Sequence, residues 1–152
     1  MVITLDTFPT SSTGKKPGQT PSLLDQCHNW INEREAAGHR ILVPAIASYE
    51  ALRELELLGA EQQIRRLKAF CLQPSRFIPL TTVHLESAAK LWAQARKSGL
   101  PTADRHALDG DVILAAQALS FELAAPQFVI ATTNPGHLSR FVPAQLWSDI
   151  SD

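Results

Sequence analysis

The stretch Asp104-Arg-His-Ala-Leu-Asp109-Gly-Asp111-Val-Ile-Leu-Ala-Ala-Gln-Ala-Leu119 sets three carboxylates at the opening of a run made almost entirely of Ala, Leu, Val and Ile. That run reads as a buried helix, apolar on nearly every side. A single acid at a helix start is explained by capping and by the helix dipole. Three acids flanking a glycine exceed that need, and they make this helix start one wall of a candidate cation site.

Working outward, short apolar runs of strand type occupy residues 2–5, 40–43, 77–80 and 128–131, with a short fifth around 144–147. Helical patterns fill the intervals. The first runs from Thr20-Pro21 to Gly38 with Leu24, Cys27 and Ile31 inward; others cover 45–58, 61–72, and from Thr81 or Thr82 to Gly99. Strands separated by one or two helices imply parallel pairing through right-handed crossovers. The expected fold is α/β, a three-layer sandwich with a central parallel sheet of four to five strands, in a single domain over residues 1–152.

Composition agrees with one cored domain: 152 residues, 45% hydrophobic. The 14 Lys and Arg against 15 Asp and Glu leave a net charge of -1, which excludes a general DNA-coating surface. Cys27 and Cys71 form neither a CxxC pair nor a metal-ligand spacing, and read as buried thiols in a reducing cytoplasm. The amino terminus meets Asp6 before a secretory segment develops, and no apolar run reaches the ~20 residues of a membrane helix. Residues 9–21, rich in Pro, Ser, Thr, Gly and Lys, read as a mobile loop whose deletion leaves the fold mostly intact.

In a parallel sheet the segments after each strand meet at one edge. Asp6, Glu50, the Asp109 and Asp111 pair and Asn134 converge there. Carboxylates crowded into one crevice resist ionisation without a countercharge, and a divalent cation supplies it. Oxygen ligands select a hard ion, Mg²⁺ or Mn²⁺, rather than zinc, and the five histidines show no paired ligand spacing. Each residue has a plainer reading. Asp109 and Asp104 serve as helix caps, Glu50 as part of a solvated helix face, and Asn134 as a turn before Pro135. For Asp6 the plainer reading is a turn or cap residue, against which stands the lack of a clear helix after it to cap. Arg105, His106, Lys15 and Lys16 are candidate phosphate contacts, whereas Arg65, Arg66 and Lys68 fit a solvated helix face. Trp30, Trp92 and Trp147 are expected in the core. Two rivals fail on sight. Ser12-Thr13-Gly14-Lys15-Lys16 has Pro9 at the first glycine of a phosphate-binding loop and Lys16 where its Ser or Thr belongs. An aspartyl phosphatase wants a second acid where Phe8 stands.

Four motifs taken together resemble the PIN-domain ribonucleases, and among them the toxins of VapC type: Leu5-Asp6-Thr7, Pro44-Ala-Ile-Ala-Ser-Tyr-Glu50-Ala-Leu-Arg, Asp111-Val-Ile-Leu-Ala-Ala-Gln-Ala-Leu119, and Ile130-Ala-Thr-Thr-Asn134. The resemblance implies an α/β sandwich, Mg²⁺- or Mn²⁺-dependent RNA hydrolysis leaving a 5′-phosphate and a 3′-hydroxyl, and metal binding by Asp6, Glu50 and Asp111. It also implies a small antitoxin protein as partner and a homodimer. Phe8 replaces the asparagine that often follows the Asp-Thr pair, and Asn134 and His137 stand where a fourth acid is usual. Asp109 either replaces that acid or caps the helix. The alternative function is a catalytically weak or inactive PIN-like scaffold that binds RNA or protein.

Overall fold

The apolar strand segments pair as one parallel sheet. In a computed structural model, residues 1–16, 21–99, 105–120 and 127–151 are described, the side chains of 105–107 excepted. Strands β1 (Val2–Leu5), β2 (Arg40–Pro44), β3 (Phe77–Ile78), β4 (Phe128–Thr132) and β5 (Ala144–Leu146) lie in the order β3-β2-β1-β4-β5. Every pairing is parallel, with Leu5 of β1 beside Ala131 of β4 and Ile3 beside Ile41 of β2. The expected fifth strand is present. β3 stops at Ile78, short of the expected residue 80, since Pro79 has no amide hydrogen for the ladder.

Alternation along the strands divides the core. Ile3, Leu5, Ile41, Val43, Val129 and Ala131 pack with Cys27 and Ile31 of helix α2 (Leu23–Ala36), Leu55 of α3 (Ala45–Leu57), and Ile64 and Leu67 of α4 (Glu61–Cys71). Val2, Phe128 and Ile130 pack with Leu114, Ala115 and Ala118 of α6 (Arg105–Leu119). The other flank of α6 carries Leu108, Val112 and Ala116 against Ala88 and Ala95 of α5 (Thr82–Lys97). Helix α6 is thus clamped between sheet and α5, which is why its sequence lacks a polar stripe. Trp30 and Trp147 meet edge to face in the first layer, as expected of core residues. Cys27 and Cys71 are free and buried, and burial pushes the Cys27 thiol up to about 12.

The expectation of a mobile loop over 9–21 needs correction. Thr7–Ser12 is a helix, α1, and Pro9, Thr10, Ser12, Thr13 and Gly14 are buried. The hydroxyls of Ser11, Ser12 and Thr13 donate to the carbonyls of Thr7, Pro9 and Thr10 at 2.8, 2.6 and 2.7 Å, so most of this polar run is satisfied within the helix, while the Thr10 hydroxyl is buried without a partner. Gly14 lies so close to α4 that a Cβ there would stand 2.8 Å from the Gln63 carbonyl oxygen. Residues 17–20 lie outside the described residues. Helix α2 begins later than Thr20-Pro21: Ser22 is its cap, in a reciprocal capping box with Asp25. Among the described residues no helix is long and apolar enough to cross a membrane.

One amide joins three elements. Gln117 of α6 is fully buried; its Oε1 accepts from the Ile46 amide at the start of α3 (3.1 Å), and its Nε2 donates to the Ile78 carbonyl ending β3 (2.8 Å). Gln117→Leu keeps the volume but strands both backbone groups, and is expected to cost about 2–4 kcal/mol by urea unfolding. Deleting residues 9–14 is expected to abolish cooperative unfolding by circular dichroism, because buried groups of α1, including the Gly14 approach to α4, are lost with it.

Candidate active site

β1 is the central strand, and the chain leaves it for β2 and β3 on one side and adds β4 and β5 on the other. The carboxyl ends of β1 and β4 therefore flank the switch point where open α/β sheets hold ligands. Asp6 stands there, directly after β1, with its amide donating to Ala131 O at 3.0 Å. It does cap a helix, contrary to the reading of the sequence: Oδ1 accepts from the Thr7 amide at 2.7 Å. Its other oxygen, Oδ2, accepts from the Thr132 hydroxyl at 2.6 Å, so the end of β4 holds the acid that ends β1. Both roles coexist, because each carboxylate oxygen has a lone pair to spare.

Glu50 reaches the same crevice from the second turn of α3. Its Oε2 accepts from the Thr7 hydroxyl at 2.5 Å. Asp111 comes from α6, and its carboxyl is raised from the ordinary 3.8 to about 6. Burial does most of this and repulsion from Asp6 comes next; Glu50 adds to the rise, while His137 and Arg140 pull the other way. Three acids distant in sequence thus sense one another at the sheet edge. His137, on the short helix α7 (Pro135–Leu138), puts Nδ1 3.7 Å from Asp111 Oδ2.

The remaining sequence candidates divide. Helix α6 starts at Arg105, so neither Asp109 nor Asp111 caps it. The two are about 200° apart around the helix, and cannot face the same way. Asp109 is exposed and borders a depression of about 390 Å³ lined by Leu85, Ala88, Trp92, Val112 and Ile113, on the α5 side. It is not brought to the crevice, and Trp92, partly buried against the α5–α6 core, also lines that depression. Asn134 is exposed, and its amide donates to the Thr132 hydroxyl at 3.0 Å; its side chain makes no cap bond to α7. Lys15 and Lys16 follow α1 beside α4, where Gly14 meets Gln63, rather than the α6 wall. Asp104 and the side chains of Arg105 and His106 lie outside the described residues.

Reading residue types alone did not single out Thr7 and Thr132, whose hydroxyls donate to Glu50 and Asp6. Thr132 looks like an ordinary strand end until the β1–β4 register sets it beside Asp6, and Thr7 like an ordinary helix start until α1 docks on α3 and brings its hydroxyl to Glu50.

The donor chemistry fits a hard divalent cation: three carboxylates, two of them held from behind by threonine hydroxyls, with mutual repulsion for a cation to relieve. Their spacing is looser. Among the described residues no three His, Cys, Asp or Glu side chains are gathered into a ready metal-binding group.

Compared with solved structures, the chain matches, along its whole length, a chain of VapBC-1 from nontypeable Haemophilus influenzae (TM-score 0.65, 21% identity, 98% of this chain and 100% of that one). It also matches a chain of FitAcB from Neisseria gonorrhoeae (0.66, 19%, 97% and 99%). This chain has a PIN-like fold. A chain of VapBC2 from Rickettsia felis, solved bound to a DNA fragment from their promoter, shares the PIN-like fold too (0.63, 18%, 97% and 99%). No family model matches the sequence. No curated protein matches it. At these identities the PIN-like fold is what the likeness establishes.

The raised Asp111 carboxyl predicts an unusual pH dependence. The folded protein binds this proton more tightly than the unfolded chain, so stability falls as pH rises from about 4 to about 6, and the full penalty is present above that. Asp111→Asn removes the charge. Without added metal it is expected to raise Tm by several degrees at about pH 7.5, corresponding to at most about 3 kcal/mol, and to leave Tm unchanged near pH 4. Thermal denaturation at the two pH values checks this.

Proposed function

We propose that this chain is a Mg²⁺- or Mn²⁺-dependent endoribonuclease of the PIN-domain, VapC-like type, the toxin of a toxin–antitoxin pair. The observation that carries the reading is the approach of Asp6, Glu50 and Asp111 to the switch point of the sheet, where Thr132 and Thr7 hold the first two and burial, then repulsion from Asp6 and Glu50, raises the third. Asp6, Glu50 and Asp111 hold the cation; Thr7 and Thr132 orient the first two. When bound, the cation supplies positive charge that favours a nucleophilic water and steadies the phosphoryl transition state. Hydrolysis joins the water oxygen to phosphorus and breaks the bond to the 3′ oxygen, which leaves with a proton, giving a 5′-phosphate and a 3′-hydroxyl. Asp109 has no part in this, since it faces α5.

The partners in this reading are RNA, a small antitoxin protein and a second copy of the chain. The fold shared with chains of VapBC-1, FitAcB and VapBC2 supports the antitoxin. Apolar side chains left exposed along α5 and its approach, among them Leu80, Val83 and Leu85, support protein partners in general. The scaffold alternative, a catalytically weak or inactive PIN-like module that binds RNA or protein, is favoured by one observation: the acids are not gathered as a ready metal group, and His137 stands beside Asp111 where a further acid would strengthen it.

Two measurements separate these readings. Calorimetry with Mn²⁺ is expected to give binding that weakens about tenfold per pH unit below about pH 6, as Asp111 takes up its proton. Cleavage of a mixed RNA pool is expected to require the metal and to fall at least ~100-fold in Asp6→Ala and in Asp111→Ala. Cleavage that survives chelation or either substitution overturns the nuclease reading, and metal binding without cleavage favours the scaffold.

A further inference from the structure

Gly110 sits within α6, one residue ahead of Asp111. Its backbone does not use glycine's freedom, since among the described residues the positive-φ glycines are Gly38, Gly59 and Gly99. Inside a helix, glycine is a poorer choice than alanine unless something needs the space. Here something does. A Cβ at Gly110 would stand 2.7 Å from Glu50 Oε1, a separation that real Cβ atoms do not show. The other oxygen of the same carboxylate, Oε2, accepts from the Thr7 hydroxyl. Glu50 is therefore held at both ends: α1 fixes one oxygen, and the bare face of α6 receives the other.

We propose that Gly110 is a positioning residue, a notch in α6 that admits the Glu50 carboxylate into the crevice beside Asp111. The clash a side chain would create is with the far end of a flexible glutamate, not with backbone. Alanine is thus accommodated by swinging Glu50 away from Thr7, while the helix gains a better helix former. Site geometry and fold stability move in opposite directions. This role rests on the metal site proposed above for its functional meaning, but the displacement of Glu50 does not.

The test compares full-length wild type, Gly110→Ala, Glu50→Asp and the double variant, by metal-free crystal structures, Tm and calorimetry with Mn²⁺. In Gly110→Ala the Thr7–Glu50 hydrogen bond is expected to be lost, Tm to be equal or higher, and Mn²⁺ affinity to fall on the order of tenfold or more, as for loss of a group that orients a ligand. In the Glu50→Asp background, where the carboxylate is withdrawn by one methylene, adding Gly110→Ala is expected to weaken Mn²⁺ no further, a non-additivity that marks direct coupling. A Thr7–Glu50 bond that persists in Gly110→Ala overturns the proposal, as does failure of both alanine variants to fold. If wild type binds no Mn²⁺, the metal-site reading falls, and the Glu50 position in the crystals still decides whether Gly110 is the notch.

Discussion

Helix α6 is held in one position by a buried amide. Gln117 spends its acceptor on the first turn of α3 and its donor on the end of β3, and neither bond has water to fall back on. That pair of bonds fixes α6 against α3 along its axis as well as around it. Because α3 carries Glu50 while α6 carries Gly110 and Asp111, the same bonds set how the two walls of the crevice face one another. The apolar packing of α6 on β4 and on α5 supplies most of the contact area, but small Ala and Leu side chains define a register weakly. The amide defines it sharply.

The crevice itself is a balance of repulsion and restraint. Of its three carboxylates, Asp6 and Glu50 are held by groups that each have a second duty: Asp6 caps α1, Thr132 ends β4, and Thr7 opens the helix that Asp6 caps. Their mutual repulsion is expressed mainly at Asp111, the acid not held by a threonine. A site built this way stores an electrostatic conflict in the fold, which a cation at the crevice would resolve. Burial first, and this repulsion after it, raise the Asp111 carboxyl. His137 and Arg140, which partly offset the repulsion, therefore belong to any description of the site.

Helix α1 shows how composition can mislead. A run of Pro, Ser and Thr looks like solvent-exposed chain because each hydroxyl must find a partner. In this segment Ser11, Ser12 and Thr13 find theirs one turn back along the same helix, and the Thr10 hydroxyl is buried without one. Polarity then imposes no exposure, and α1 becomes part of the packing that brings Thr7 to Glu50. No periodic apolar stripe announces such a helix, since its burial rests on small side chains and on Gly14 meeting the backbone of α4.

Much of this was legible in the residues themselves. Strand runs ending in Asp6 and Thr132, helices between them, and an all-round apolar α6 determined a parallel α/β sandwich, because period and burial are written in side-chain type. The convergence of Asp6, Glu50 and Asp111 at one sheet edge followed from parallel connection alone. What the sequence by itself left open was decided by helix phase and register. Whether Asp109 joins Asp111 at the crevice was open on paper; only the packing of α6 turns Asp111 toward the crevice and Asp109 toward α5. Gly110 likewise reads as a helix weakness until Glu50 is seen against it. Distances between side chains from separate elements depend on how those elements dock, and that is a property of the whole core rather than of any one stretch.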